Sequence, residues 1–390
     1  MLVLVLVVVG ALAFDFTNGF HDTANAVATA IATGALRPRV AVLMSAVLNF
    51  VGAFISISVA ATIAKGIVNP TVLAGGGGLV LVLAALIGAI MWNLITWYLT
   101  IPSSSSHALI GGVIGATLVA SGSGAVDIRK LAQSVIVPGV LSPFICGAVA
   151  LLGTLAAYRL IRMLRVDEAV KGYRLGQIGS ASLVSLAHGT NDAQKTMGVI
   201  SLALIAHGDI STTHFYVPVW VKLGCALAIA LGTAAGGWRI INTMGNRLTK
   251  IESPQGFAAE SSSAAVILAS SYYGYPLSTT QVVSGGVTGA GLGKRLASVH
   301  WDVVGQMVAA WVFTIPSSAL LGAAAWEISD QFSNTAAGSV VIALIAAAGA
   351  MVLFKLAQRS KVTPDELDRT TTITAEDPVA RIGHTAPANA

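Results

Sequence analysis

Long apolar runs, rather than strict alternation or a narrow helical stripe, dominate the chain. Stretches able to span a bilayer, roughly 17 to 25 residues each, fall at 40–62, 79–99, 131–157, 217–237, 300–325 and 336–358. Four others are less simple. Residues 1–36 and 176–206 are too long for one straight span and are interrupted by polar clusters; 79–120 and 256–292 are interrupted by proline and hydroxyl clusters. Lipid offers no partners to backbone N–H and C=O groups, so polar breaks at membrane depth are tolerated only against protein or a water-filled cavity. These four stretches are therefore expected to be broken segments that line something. The opening run MLVLVLVVVGALA has the length of a signal peptide, but it lacks a basic start and apolar sequence continues beyond it. It reads as the first half of a membrane segment. The pattern predicts an all-α polytopic membrane protein of about 10 to 12 segments.

Composition agrees with that reading and narrows it. Hydrophobic residues make up 55% of the 390 positions and charged residues 10%, with a mean hydropathy of +0.79. Ordinary globular domains carry about 25% charged residues, so soluble domains are excluded. Disorder, a collagen repeat, a disulfide scaffold and nucleic-acid binding are poorly supported: the net charge of +5 comes with no basic block outside short loops. Cys146 and Cys225 lie in apolar segments and read as free buried thiols. Residues 1–120 hold only five formal charges, Asp15, Asp22, Arg37, Arg39 and Lys65, and the two aspartates sit deep in apolar sequence. An intramembrane carboxylate is costly without partners and marks a functional site.

The chain also matches itself. PSSSSHALIGGVIGATL at 102–118 aligns with PLSTTQVVSGGVTGAGL at 276–292, an offset of 174; GFHDTANA at 19–26 aligns with GTNDAQKT at 189–196, an offset of 170; Pro143 pairs with Pro316. Basic loops at 37–39, 159–174, 239–250 and 294–295 are assigned to the cytoplasm by the positive-inside bias, which puts the N-terminus outside and the tail inside. Arg129 and Lys130 are a misfit on the outer side. Equivalent loops of the two halves fall on opposite sides, the signature of an inverted-topology repeat, whose substrate site lies near the midplane. The expected organisation is a first membrane repeat at 1–157, a basic cytoplasmic central loop at 158–175 and a second membrane repeat at 176–330. An extra C-terminal transmembrane helix at 331–358 and a polar, disordered tail at 359–390 follow.

Each repeat places a proline before a hydroxyl run: Pro102 before Ser103, Ser104, Ser105 and Ser106, and Pro276 before Ser278, Thr279 and Thr280. Proline suits the first turn of a helix and Ser or Thr its N-cap, so each run is expected to open a half-helix whose N-terminus and hydroxyls bind an anion. The glycines that follow are read as helix-packing positions. The first stretch of each repeat supplies carboxylates: His21, Asp22 and Asn25 in one, His188, Asn191, Asp192 and Lys195 in the other. Asp22 with Asn25, and Asp192 with Lys195, are three apart and share a helix face. Two aspartates beside an anion repel it strongly at low dielectric. A proton on a carboxylate, a bound Na⁺, or a divalent metal entering with the anion resolves the conflict, so symport follows once the two sites are adjacent.

At these residues the chain resembles the inorganic phosphate transporter (PiT) family. FDFTNGFHDTANAVATAIATGAL (14–36), IPSSSSHALIGGVIGA (101–116), AHGTNDAQKTMGV (187–199) and YPLSTTQVVSGGVTGA (275–290) carry the resemblance, which extends over roughly residues 1–358. It implies secondary transport of inorganic phosphate across the cytoplasmic membrane, coupled to Na⁺ in some members and to protons, with metal-phosphate carried, in some bacterial ones. It also implies a homodimer with no cofactor beyond the co-transported cation. By position it points to Asp22, Asn25, Ser104, Ser105, Ser106, Asp192, Ser278, Thr279 and Thr280 for substrate, with Asn191 beside them; the residues expected to couple the cation are Asp22, Asn25, Asn191, Asp192 and, outside the family's pattern, Lys195. Asp22 and Asp192 would be metal ligands were metal-phosphate carried. The first repeat has His21 where the second has Asn191, and the second has Lys195 where the first has Asn25. An ammonium there can replace Na⁺ or pair with Asp192, and it favours proton or metal-phosphate coupling; the alternative is that Lys195 snorkels to the interface. The competing readings are a Na⁺-coupled phosphate symporter, a sulfate permease of the same fold, a passive anion channel and an intramembrane aspartyl enzyme. Sulfate near neutral pH cannot donate a hydrogen bond to Asp22 or Asp192, whereas phosphate can. Asp15 has no assigned role.

Overall fold

The computed structural model describes residues 1–66, 77–163, 166–211, 214–294, 299–360 and 362–368. Apart from one isolated bridge between Thr249 and Val299, the described residues form helices and the turns between them. In the first half these are α1 (Leu2–Ala32), α2 (Pro38–Gly52), α3 (Ser58–Gly66), α4 (Gly78–Tyr98), α5 (Ser105–Ser121) and α6 (Ile128–Ile161, through a π turn at Ala132–Ile136). In the second half they are α7 (Val166–His207), α8 (Val219–Ala235), α9 (Trp238–Arg247), α10 (Ser253–Tyr273), α11 (Thr279–Lys294), α12 (Trp301–Asp330) and α13 (Thr335–Ala357). Among the described residues five helices (α1, α4, α6, α12 and α13) are long and apolar enough to cross a membrane, six with α8 and α9 taken as one span bent by 61°. The remaining helices are short or carry the polar residues of the site, which lowers their hydropathy. The molecule is the expected all-α membrane fold.

Two expected breaks are absent. α1 is one uninterrupted helix of 31 residues and α7 one of 42. Their polar clusters do not unwind the backbone, because side chains of neighbouring helices satisfy them and every main-chain bond stays internal. The charged central stretch is likewise helical on both sides of residues 162–165, since α6 runs to Ile161 and α7 starts at Val166. The other two breaks are present. α4 ends in a tight turn where Thr100 takes φ 61° and the N–H of Ile101 bonds to Thr96 O at 3.0 Å. α10 ends in its repeat-related equivalent, with Gly274 at φ 77° and the N–H of Tyr275 on Ser270 O at 2.8 Å. Both are left-handed C-terminal closures.

After each turn the chain reverses into a second helix. Ser104 is the N-cap of α5 and its Oγ accepts the N–H of His107 at 3.1 Å; Ser278 Oγ accepts the N–H of Gln281 at 3.3 Å before α11. Pro102 and Pro276 therefore lie two residues ahead of the caps, not in the first turn, where the sequence rule put them. The glycine pattern serves packing, as expected. A Cβ on Gly115 would lie 1.9 Å from Ala319 O of α12, and one on Gly289 would lie 2.0 Å from Gly147 O of α6. α5 thus packs on α12 as α11 packs on α6, which repeats one arrangement twice.

Asp127 explains how the misfit basic pair is accommodated. Its carboxylate accepts the N–H of Lys130 at 3.0 Å as the cap of α6 and sits 3.8 Å from the same residue's ammonium. Of the expected tail, residues 369–390 lie outside the described residues, as do 67–76 and Arg295; Asp365 pairs with Arg39 at 3.1 Å.

Candidate functional site

α1 and α7 cross the bundle antiparallel, as contacts along them record. The Thr33 hydroxyl donates to Gln177 Oε1 at 2.8 Å near one end, and Asn18 Nδ2 donates to Asp192 Oδ2 at 3.4 Å further along. Between them Asp22 and Asp192 face each other with 2% and 0% exposure. The N-termini of α5 and α11 close on this pair. Ser105 Oγ donates to Asp22 Oδ2 at 2.8 Å and lies 2.6 Å from Asn18 Oδ1. Thr279, its equivalent in the second repeat, donates to Asp192 Oδ2 at 3.2 Å and reaches Asp22 Oδ2 at 3.5 Å. Each aspartate therefore takes a hydroxyl from its own repeat, and Thr279 ties both together.

The next positions cross over. Asn25 Nδ2 of the first repeat donates to Thr280 Oγ1 of the second at 3.0 Å, and Lys195 of the second donates to Ser106 Oγ of the first at 2.5 Å. Lys195 also gives protons to Asp192 Oδ1 at 2.5 Å and Leu277 O at 2.7 Å. An ammonium has three protons, so all are placed, and with 1% exposure the side chain does not snorkel. A pair buried this deeply holds together only because its remaining hydrogen-bond capacity is filled.

Both histidines touch the aspartates directly. His21 Nδ1 lies 2.6 Å from Asp22 Oδ1, with its other nitrogen 3.3 Å from Thr96 Oγ1. His188 Nε2 lies 3.1 Å from Asp192 Oδ2, and its Nδ1 is 3.1 Å from Asn49 Oδ1. Asn191 points elsewhere, donating to Ser271 Oγ at 2.9 Å. Ser104 and Ser278 use their oxygens as caps. Of the residues singled out in the sequence, then, Asp22, Asn25, Ser105, Ser106, Asp192, Lys195, Thr279 and Thr280 converge, Ser104 and Ser278 support them, and Asn191 stands apart. Asn18 was missed. It lies four residues before Asp22, on the same helix face, and is the repeat partner of His188, so helical spacing combined with the repeat offset points to it.

One oxygen or nitrogen each from Asp22, His188 and Asp192 lies within 4.8 Å of the others. Two carboxylates in so small a space repel unless a cation or proton separates them, and the Ser105 and Thr279 hydroxyls add oxygen ligands of the kind that hard cations take. The arrangement can hold a cation between the repeats, with an anion on the hydroxyl and ammonium side.

Residues 18–322 match the model of the phosphate transporter family, and that span contains every residue of the network. The chain belongs to this family. A Mycobacterium bovis protein described as a "Probable low-affinity inorganic phosphate transporter" is 58% identical over 323 residues, covering 83% of this chain and 76% of the relative. A Bacillus subtilis protein of the same description is 44% identical over 335 residues, covering 85% and 98%. A solved structure titled "The sodium-dependent phosphate transporter" superimposes with a TM-score of 0.76 at 25% identity, covering 85% of this chain and all of that one. These relatives are transporters, not enzymes, which removes the aspartyl-enzyme reading; with the apolar helices they identify a multi-pass protein of the cell membrane.

Proposed function

We propose that this protein imports inorganic phosphate by symport with a cation held between Asp22 and Asp192. The observation that carries this reading is the crossed network: Ser105, Thr279, Asn18 and Lys195 meet two buried carboxylates, and the Asn25–Thr280 and Lys195–Ser106 bonds cross between the repeats beside them. With neutral histidines the aspartates and Lys195 sum to one negative charge. A phosphate monoanion or dianion entering beside them needs further positive charge at low dielectric, and a co-transported cation supplies it. Phosphate would take hydrogen bonds from Ser105, Ser106, Thr279 and Thr280 and draw the Lys195 ammonium from Leu277 O.

Sodium is the coupling ion that the structural relative's title supports, and it displaces the proton as first choice. The oxygens of Asp22, Asp192, Ser105 and Thr279 suit it. A second reading, symport with protons and carriage of metal-phosphate, is favoured by one specific feature: Lys195 Nζ lies 2.5 Å from Asp192 Oδ1 at the place where Asn25 stands in the other repeat. Radiolabelled phosphate uptake by the purified protein in proteoliposomes, with sodium, proton and divalent-metal gradients imposed separately, decides between them. Accumulation driven by sodium supports the first reading, and accumulation that needs a divalent metal and a pH gradient supports the second. Equilibration without accumulation under every gradient, or equal competition by sulfate, would sink the proposal.

A further inference from the structure

Among the described residues four carboxylates are buried inside the bundle, and three have donors. Asp22 has His21 and Ser105; Asp192 has Lys195, Thr279 and Asn18; Glu260 of α10 accepts from Thr29 and Ser180 at 2.5 Å each and from Gln177 at 3.2 Å. The fourth, Asp15, is 0% exposed, and neither of its oxygens has a hydrogen-bond partner among the described residues. The Thr196 hydroxyl on α7 is beside it, yet also makes no hydrogen bond of normal geometry. A bare carboxylate without water or a donor costs far more than a neutral carboxyl. Asp15 thus sits where a proton, and not a donor from the protein, is the partner that its oxygens lack.

Its position gives the proton a use. Asp15 precedes Asp22 by seven residues, two turns along the same face of α1, or about 10 Å. Its charged and titratable neighbours are Asp192 and Lys195 from α7 and Cys225 from α8. α4, which also packs on α1, carries no charged residue along its length, and on α1 itself the nearest ionisable groups are His21 and Asp22. The repeat partner of Asp15 is Ser185, whose hydroxyl bonds its own helix at Ala181 O, 2.8 Å away. This carboxyl is thus unique to one repeat, unlike the paired substrate network.

We propose that Asp15 is a proton-binding site of the transport cycle, separate from the Asp22 and Asp192 cation site. When the site opens to the outside, the Asp15 carboxylate takes a proton from water; after closure it travels as the neutral acid; on the inward side it returns the proton to water. An anion at the substrate site opposes a negative charge on Asp15, so proton and phosphate bind more tightly together than apart, and by linkage each favours the other equally. The inference takes from the proposed function only the location of the phosphate site.

The test compares wild type with Asp15→Asn in proteoliposomes, counting protons moved per radiolabelled phosphate with an internal pH dye. Protons carried by phosphate itself are common to both proteins and cancel. The variant is expected to move about one proton fewer per phosphate and to lose net uptake more severely than phosphate–phosphate exchange, which needs no net proton movement. Equal proton counts in the two proteins overturn the proposal, as does sodium-driven uptake by wild type with no proton beyond those of the substrate; in that last case the phosphate site itself still stands. A wild type that moves no phosphate under any gradient overturns the function reading and this one with it. If Asp15→Asn does not fold, Asp15→Glu carries the test. A shifted carboxyl that binds the proton moves the pH profile of uptake by about half a unit or more, and an unmoved profile counts against the role.

Discussion

The Lys195 and Asp192 pair shows how much the site depends on complete satisfaction of each charge. Removing one partner of a buried pair leaves an uncompensated charge and costs about 3–5 kcal/mol. Lys195→Gln and Asp192→Asn are therefore each expected to lower the melting temperature of the detergent-purified protein strongly, while the double variant, which leaves neither charge bare, recovers most of the loss but not phosphate uptake. A double variant no more stable than the singles would show that the pair is not the unit of stability. Most of this site was legible in the sequence because the repeat presents it twice: a buried Asp is a curiosity once and a pattern when Asp22 and Asp192 recur with their hydroxyl runs. What was not legible has no second copy. Glu260 and its donors Thr29, Gln177 and Ser180 correspond by offset to Leu86, Val199, Val7 and Gly10, so self-comparison passes over them.

At the level of elements, sequence reasoning failed where it equated polar residues with a broken backbone. α1 and α7 remain continuous, since Thr and Ser hydroxyls bond back within the helix, as Thr23 does to Gly19 O at 2.6 Å, or reach a neighbouring helix. It succeeded at the two hairpins, where proline and a hydroxyl N-cap sit together, although the rule misplaced the prolines by a few positions. The two hairpin turns are not equally comfortable. Thr100 holds a left-handed φ with a β-branched side chain, which costs about 1–3 kcal/mol, whereas Gly274 holds the equivalent angle without strain. Thr100→Gly is expected to raise the melting temperature slightly, because relief of strain exceeds the added freedom of the unfolded chain. Gly274→Thr is expected to lower it, since even its Cβ would lie 2.9 Å from Thr62 Oγ1 and 3.1 Å from Ser58 O. The two substitutions moving the melting temperature in the same direction would contradict the assignment of strain.

Across the whole molecule the two repeats are symmetric at the midplane and asymmetric away from it. On the side of the basic loops, Glu260 joins α1, α7 and α10 through Thr29, Ser180 and Gln177. At the corresponding place on the opposite side, Val7 and Leu86 are buried in an apolar cluster, and a Cβ on Gly10 would lie 3.4 Å from Leu83 Cδ1. An apolar seal reopens by wetting a surface that has no hydrogen bonds to lose, whereas the polar seal must exchange the Glu260 carboxyl's partners for water, with each lost hydrogen bond worth about 0.5–1.5 kcal/mol. Alternating access about a midplane site requires both seals to open in turn. If the Glu260 junction is the seal on the basic-loop side, α1 and α7 must separate there in each cycle. Thiols at Thr29→Cys and Ser180→Cys, introduced with Cys146 and Cys225 replaced by alanine, both face the Glu260 carboxylate and are expected to be bridged by Cd²⁺. Bridging should stop phosphate uptake at least tenfold more effectively than Cd²⁺ acting on either single cysteine, and a chelator should restore it. Full uptake with the bridge in place would mean that this junction stays closed throughout transport and that the moving boundary lies elsewhere.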